Sequence, residues 1–141
     1  GGARIIGEAK IIDGDTLDIG AIRVRLFGID APEGDQSCRK ADGAAWDCAA
    51  AASDRLAEMI EGREVECSVV DRDRYRRVVA TCLVGGLDLG EALVRDGYAW
   101  AYRRYSGRYV GAEAAARAAR RGIWQGSATP PWQWRADRRG G

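Results

Sequence analysis

The feature of this sequence that most constrains its fold is a set of three short apolar runs within the first 30 residues, separated by turn signals. The runs cover residues 5–12, 17–19 and 22–27. The Asp13-Gly14-Asp15-Thr16 turn separates the first two and Gly20 separates the last two, which is typical of short strands joined by hairpin turns. We expect Ile6 and Ile12 of the first strand to face the core. Three antiparallel strands in so short a stretch predict a curled sheet or a small barrel.

The rest of the chain is predicted to add two strands and three helices. The strands cover residues 65–70 and 77–84 around a polar turn at 71–76, and the helices cover residues 43–61, 89–96 and 110–121. The apolar residues of the first helix repeat at a spacing that puts them on one buried face: Ala45, Ala49, Ala52, Leu56, Met59 and Ile60. We expect Ala115, Ala116 and Ala119 to face inward from the last helix. The fold class is therefore α+β, a mainly β barrel of five strands with three α-helices.

We expect a single domain over residues 1–141, with its core between about residues 5 and 125. Residues 34–42 are polar and predict an irregular, mobile loop, and residues 98–105 predict a loop or a short extended piece. In the tail, residues 126–141, we expect Trp132 and Trp134 to pack on the barrel and the final residues to fray.

The composition excludes several classes of mechanism. The 141 residues include no histidine, so an imidazole cannot serve as a base, a nucleophile or a zinc ligand. Carboxylates, tyrosine or a metal-bound water remain for acid–base chemistry. No apolar stretch has the length needed to span a membrane, and we expect no membrane partner.

The formal net charge of +1 is unevenly distributed along the chain. Residues 1–70 carry 8 basic and 14 acidic side chains, whereas residues 71–141 carry 14 and 7. An acidic half that holds a cation and a basic half that faces phosphate would suit a nuclease-like site. The alternative is that the two halves interleave in space, so that the imbalance has no functional meaning.

The four cysteines lack the close paired spacing of a zinc site. Cys67 and Cys82 flank a predicted hairpin, and a loop of even length centred between residues 74 and 75 sets them opposite each other, within disulfide range. Cys38 and Cys48 would then form a second bridge. Of the three possible connectivities we favour this one, which implies an oxidising compartment. We therefore expect a periplasmic or secreted protein whose signal peptide has been removed. The alternative is four buried free thiols in a cytosolic protein.

One run of residues combines a strand with charges at its end. Residues 23–33 read RVRLFGIDAPE, in which apolar residues alternate with arginines until a proline interrupts the strand. Asp30 and Glu33 therefore lie where a strand stops and a loop begins. Together with Arg25 they suggest a place that holds a metal and a phosphate. Taken alone, the two carboxylates could solvate a loop, and Asp15 could be a turn residue.

Five segments in a particular order form a recognisable pattern. They are DGDT at 13–16, RLFGIDAPE at 25–33, DRYRR at 73–77, EALVRDG at 91–97 and AARRGIW at 118–124. In this order they resemble the thermonuclease family, the staphylococcal nuclease-like proteins built on an OB-fold. The resemblance implies a five-stranded OB-fold barrel with three α-helices. It also implies a calcium-dependent nuclease that hydrolyses phosphodiester bonds of DNA and RNA with little sequence specificity and leaves 3′-phosphates.

The resemblance further implies a metal site and a general base. Asp15, Asp30 and the backbone carbonyl of Ala31 would hold Ca²⁺, which prefers hard oxygen ligands. Glu33 would activate the attacking water as general base.

The remaining residues implied by the resemblance would contact the substrate. Arg25 and Arg77 would stabilise the negative charge that develops on the phosphate. Tyr75 would lie along the nucleotide, as would Tyr102 or Tyr105, for which packing is the alternative interpretation. Arg74 is the fourth residue expected to bind the substrate. We expect the substrate to be single-stranded or locally melted DNA and RNA, and the protein to be a monomer.

The chain departs from the family pattern at several points. Arg76 stands where the family often has glycine, and Ala31 where it often has threonine. The near-neutral net charge also predicts weaker substrate binding, because nucleic-acid affinity grows with the number of phosphates neutralised. The main rival interpretation is a non-catalytic OB module that binds single strands or a protein partner, and a third is an exported structural domain. The joint presence of the candidate site residues argues against both: Asp15, Arg25, Asp30, Glu33 and Arg77.

Overall fold

The computed structural model describes residues 2–140, and its central feature is a mixed sheet that curls into a half-barrel. The strands are β1 (Arg4–Gly7), β2 (Ala9–Asp13), β3 (Thr16–Ile19), β4 (Ile22–Leu26), β5 (Ile29–Asp30), β6 (Cys38–Arg39), β7 (Ala45–Trp46), β8 (Val65–Arg72), β9 (Val78–Val84), β10 (Leu87–Asp88) and β11 (Trp100–Ala101). The helices are α1 (Cys48–Ile60), α2 (Leu89–Arg95), α3 (Val110–Ala118) and α4 (Pro131–Gly140), with one short 3₁₀ helix at Gly122–Gln125.

The order of strands in the main sheet is β1-β8-β9-β4-β3-β2, and β10 extends it from β9. All neighbours are antiparallel except β4 and β9, which are parallel. The strand predicted over residues 5–12 is interrupted at Glu8, so its first half pairs with β8 and its second half with β3. Both edges of the sheet therefore come from one continuous stretch of chain. This is the OB-like α+β architecture that the sequence predicts.

The prediction that Ile6 and Ile12 face the core is wrong. Ile6 is 49% and Ile12 is 38% exposed, whereas Ile5 and Ile11 pack against the core. In both strands the inward and outward positions alternate as expected for a strand, but the face turned to the core is the other one.

The helices differ from the prediction at their ends and in number. The first begins at Cys48, not near residue 43, because Asp47 caps it by accepting a hydrogen bond from the backbone N–H of Ala50 at 3.0 Å. Ala45 consequently lies in the small β6–β7 hairpin, where it is exposed. Helix α3 ends at Ala118, which leaves Ala119 exposed.

The tail is helical where fraying was expected, so that the structure has four α-helices among the described residues. Helix α4 begins at Pro131, whose fixed φ and missing N–H suit the first position of a helix. Trp132 packs against a small second core cluster. Trp134 lies outside that cluster, and the guanidinium carbon of Arg138 lies 4.6 Å from the centre of the Trp134 ring. The second cluster consists of Cys38, Cys48, Trp100 and Ile123, with partly buried residues around it.

Both predicted disulfides are confirmed. Cys67 and Cys82 are direct partners in the β8–β9 ladder, with Cα atoms 4.1 Å apart. Cys38 and Cys48 join the β6–β7 hairpin to the first residue of α1, with Cα atoms 5.7 Å apart. All four side chains are buried.

The main core fills the half-barrel beneath α1 and α2, and its largest fully buried members include Leu17, Leu26, Ile29, Leu56, Leu89 and Leu93.

Candidate active site

The turn between β2 and β3 places Asp15 in the interior of the protein. The residue is only 8% exposed, and its carboxylate accepts hydrogen bonds from the Thr16 hydroxyl at 3.0 Å and from the backbone N–H of Ala31 at 2.9 Å. Gly14 makes this approach possible, because a Cβ there would lie 2.7 Å from the Cβ of Ala52 in α1 and 2.9 Å from that of Ala31. A turn residue in the sequence is thus a buried acid in the structure.

Arg25, the next-to-last residue of β4, joins Asp15 to a second buried acid. One guanidinium nitrogen lies 3.4 Å from the carboxylate of Asp15, and the other lies 3.4 Å from the carboxylate of Asp30. Asp30 ends β5 and is 1% exposed. Three predicted site residues from three separate elements therefore meet at one point.

Glu33 lies at the rim of this point, on the loop that follows Pro32. Its backbone N–H donates to the side-chain carbonyl of Gln36 at 3.1 Å, and its side chain is 31% exposed. The Glu33 carboxylate is paired with Arg135 of α4, which also contacts both oxygens of Asp30, at 3.3 and 2.8 Å. The site is therefore completed by a residue of the C-terminal helix.

The acids of the site have different tendencies to ionise. Burial opposes ionisation of Asp15, but the nearby charge of Arg25 and several hydrogen bonds outweigh it and hold the pKa of Asp15 below its usual value. For Asp30, burial prevails over Arg135 and Arg25, and the pKa is raised. Burial and the negative charge of Asp15 raise the pKa of Asp13 to about 7. Asp13 supports the turn, because it accepts a hydrogen bond from the backbone N–H of Asp15 at 3.1 Å.

Arg77 is not brought to the buried acids. Its Nε lies 2.6 Å from Asp73, which also accepts a hydrogen bond from the Arg77 backbone N–H at 3.0 Å. Arg76 beside it has a φ of 67°, a left-handed conformation that favours glycine. This accounts for the glycine that the family pattern has at this position.

The predicted substrate-binding residues form two separate groups. On the β8–β9 turn, Tyr75 is 66% exposed, and the guanidinium groups of Arg74 and Arg77 lie 5.1 and 5.7 Å from its ring centre. The other group lies after β11, where Tyr102 stacks on Trp132 of α4 with ring centres 5.3 Å apart. Tyr105 contacts the edge of Tyr102 and is 66% exposed, so it presents the more accessible ring.

The donor atoms of this site suit a hard cation. Asp15, Asp30 and the carbonyl of Ala31 supply only oxygen, the donor atom that Ca²⁺ prefers. The backbone N–H of Ala31 donates to Asp15, which fixes the start of this loop beside the buried acid. Within residues 2–140, no group of three or more acidic, cysteine or histidine side chains is arranged to hold a metal. By donor chemistry, the oxygens of Asp15, Asp30 and Ala31 fit a hard cation such as calcium.

Sequence reasoning missed Arg135, because it treated the tail as packing residues followed by frayed arginines. A local signal was present: a proline suited to the first helical position, followed by Trp132 and Arg135 at a spacing that places both on one face of a helix. That spacing predicts a helix, but it does not predict which carboxylates the arginine contacts.

The sequence of this chain is similar to that of a known family and of several known proteins. Residues 23–126 match the family described as Staphylococcal nuclease homologue. A protein of Escherichia coli named "Uncharacterized endonuclease" is 32% identical over 134 residues, which cover 89% of this chain and 81% of the relative. "Micrococcal nuclease" of Shigella flexneri is 34% identical over 145 residues, covering 89% and 77%. "Succinoglycan biosynthesis protein ExoI" of Rhizobium meliloti (strain 1021) is 37% identical over 124 residues, covering 86% and 65%.

The matched segment contains the strand with Arg25, both Asp30 and Glu33, and the β8–β9 turn. Among the described residues, no helix is long and apolar enough to cross a membrane. Because the family pattern spans most of the chain and relatives at this identity cover most of both sequences, the chain belongs to the family of staphylococcal nuclease homologues.

Proposed function

We propose that this protein is a calcium-dependent nuclease that hydrolyses the phosphodiester bonds of DNA and RNA with little sequence specificity. The observation that carries the proposal is the convergence of Asp15, Arg25 and Asp30 at one buried point with Glu33 at its rim. Burying an ionised carboxylate costs free energy unless a positive charge lies nearby. Two such carboxylates at one point are therefore typical of a functional site, and binding a cation beside a phosphate would use both. Family membership and the endonuclease and nuclease names of the relatives support the reaction class.

Glu33 is proposed as the general base. Its carboxylate is the most accessible of the acids gathered here, which suits a group that must accept a proton from a water molecule. Its position on a loop just after β5 keeps it within reach of a phosphate bound beside Asp30. A positioned general base typically contributes about 10²–10⁴-fold to a rate.

Arg25 is proposed to bind the scissile phosphate and to stabilise the charge that develops on it. Its guanidinium is mostly buried, with the side chain 15% exposed, and it is held by two carboxylates and by the carbonyl of Leu26 at 3.1 Å. A donor fixed in a site of low dielectric does not have to reorganise during the reaction. Arg77, with Arg74 and Tyr75, offers a basic and aromatic surface for the flanking strand, and Arg77 would reach the phosphate by exchanging Asp73 for it.

Asp15, Asp30 and the Ala31 carbonyl would hold the calcium ion. When bound, this ion would neutralise phosphate charge and help to position the attacking water. The chain's own residues keep the two acids apart from bulk water and keep Asp15 ionised through the charge of Arg25.

The proposal extends to the form of the substrate, the products, the compartment and the oligomeric state. Exposed aromatic rings suit stacking on unpaired bases, and Tyr105 is 66% exposed. We therefore propose single-stranded or locally melted substrates, with Tyr102 and Tyr105 along the nucleotide, and 3′-phosphate products. Two disulfides support export to the periplasm or beyond the cell. We propose a monomeric enzyme of one domain.

The decisive experiment is digestion of single-stranded DNA and RNA with calcium and with a chelator, for the wild type and Glu33→Ala. Asp35→Ala is the matched control, because Asp35 lies on the same loop with its side chain 67% exposed. We expect calcium-dependent cutting by the wild type and the control, a loss of about 10²-fold or more for Glu33→Ala, and 3′-phosphate ends. If Glu33→Ala cuts as well as the wild type, the base is assigned wrongly. If the wild type binds strands without cutting them, the non-catalytic module is the correct interpretation.

A further inference from the structure

We propose that Arg135, which lies outside the segment that matches the family, is a positioning residue of the active site. Its guanidinium holds the carboxylate of Glu33 in a fixed place relative to Asp30. This role depends on the proposed nuclease function, because it acts through the proposed general base.

The contacts of Arg135 join the two acids directly. One terminal nitrogen contacts both Glu33 and the Oδ1 of Asp30, the latter at 3.3 Å, while the other contacts the Oδ2 of Asp30 at 2.8 Å. The planar fork of a guanidinium fixes direction as well as distance, which a single point charge cannot do. Arg25 lies 3.4 Å from the same Oδ1 of Asp30, so two guanidinium groups flank one carboxylate.

Glu33 needs such a partner because little else restrains its side chain. It belongs to a loop, and its backbone is held through Gln36, but in the part of the chain that the structure describes Arg135 is the partner of its carboxylate. An unrestrained glutamate samples several rotamers. A displacement of about 1 Å in a reacting group can cost about 10²-fold in rate.

Helix α4 is held firmly enough to present Arg135. Trp132, one turn earlier, stacks on Tyr102, and Pro131 is buried. Two hydrogen bonds hold the segment before the helix. The backbone N–H of Arg39, inside the loop closed by the Cys38–Cys48 disulfide, donates to the carbonyl of Ser127 at 2.9 Å, and the side chain of Gln36, just before this loop, donates to the carbonyl of Thr129. One turn beyond Arg135, Arg138 pairs with Asp35 at 2.7 Å, but both side chains are exposed, so this pair adds little to the docking of the helix.

The same contacts could also belong to a helix that only blocks the site. The two interpretations predict opposite changes in reaction rate when Arg135 is removed. If α4 only covered the acids, removing Arg135 would speed the reaction. If Arg135 positions Glu33, removing it slows catalysis even though Asp30 becomes freer to bind a cation.

The test compares wild type, Arg135→Ala, Arg135→Lys and the control Arg138→Ala, measuring kcat and KM on single-stranded DNA, calcium affinity by calorimetry and thermal unfolding. We expect Arg135→Ala to lose about 10²-fold in kcat with KM little changed and to bind calcium more tightly, because one positive charge leaves Asp30. Arg135→Lys should recover part of the loss. Added guanidinium ion, below denaturing concentration, should partly restore Arg135→Ala. Arg138→Ala should resemble the wild type.

Three results would overturn this role. The first is an Arg135→Ala variant as fast as the wild type or faster. The second is an equal loss in Arg138→Ala, which would assign the effect to docking of the helix. The third is a loss accompanied by weaker calcium binding, with no rescue by guanidinium, which would indicate a damaged site. A wild type that cuts nothing refutes the proposed function and this role with it, whereas an active Arg135→Ala variant refutes only the role of Arg135.

Discussion

The two disulfides allow stability and catalysis to be separated in one experiment. Replacing both cysteines of a bridge by alanine gives two variants, Cys38→Ala/Cys48→Ala and Cys67→Ala/Cys82→Ala. We expect both variants to be destabilised to a similar extent. We expect only the first to lose activity, because its bridge supports the loop that holds the segment leading to Arg135.

The magnitude follows from the lengths of the closed loops. The sequence separations are 10 and 15 residues, and in the chain-entropy model loops of this size stabilise a fold by about 3 kcal/mol. For a chain of this size each kcal/mol corresponds to about 2–4 °C in Tm, so both variants should melt about 6–12 °C below the wild type. The 67–82 bridge joins two strands that are already paired on both sides of it, so its loss should leave the site geometry in place.

The 38–48 bridge has no such support from a long ladder. It anchors the two-residue strand β6, whose Arg39 holds Ser127, and it lies in the cluster against which Trp132 packs. We expect this variant to lose at least about tenfold in kcat at a temperature where both variants are folded, because loosening a positioned group by a fraction of an ångström is costly.

The assay is thermal unfolding together with steady-state cutting of single-stranded DNA, performed well below both melting temperatures. Equal activity in the two variants would contradict the proposed link between this bridge and Arg135. A Tm difference between the two variants of more than about 6 °C, equivalent to about 2 kcal/mol, would contradict the chain-entropy estimate.

Three further predictions concern single residues. Arg25→Ala should lower kcat by about 10²–10³-fold. Arg23→Ala on the same strand should not, because Arg23 pairs with Asp18 away from the candidate site; equal rates of the two variants in single-turnover assays would refute this. Arg76→Gly should stabilise the fold by up to about 1 kcal/mol, because glycine adopts the left-handed conformation of this position without strain. Arg74→Gly in the same turn should destabilise the fold by about 0.5–1 kcal/mol. Urea unfolding measures both free energies, and a destabilised Arg76→Gly variant would contradict the prediction. Gly14→Ala should destabilise the protein by about 1–3 kcal/mol, because its Cβ would lie 2.7 Å from a side chain of α1; an unchanged Tm would show that the contact relaxes freely.

Much of the fold could be predicted from the sequence because its signals are local. The Asp-Gly turn and the short apolar runs around it predicted β3 and β4, and the hairpin symmetry predicted that Cys67 and Cys82 face each other, as they do. The spacing of Leu56, Met59 and Ile60 predicted the buried face of α1. In each case the residues that interact are close in sequence or are related by simple hairpin geometry.

The errors arose where local pattern leaves a choice open. Alternation in the first strand shows which residues share a face, but Ile6 and Ile12 lie on the outer one, and only pairing with the rest of the sheet decides this. The start of α1 was misplaced because a run of alanines suits a helix, and the disulfide hairpin before Cys48 overrides that preference.

For the candidate site, the sequence by itself named the acids and Arg25 as candidates, and it determined that Asp30 and Glu33 lie at a strand end. Only the tertiary structure decided that Arg77 pairs with Asp73 and that Arg135 contacts Asp30 and Glu33. Arg135 is 105 residues from Asp30 in sequence, and no periodicity or turn signal extends over that distance. The contact exists because α4 packs on aromatic residues near β5, and such packing depends on the whole assembled fold.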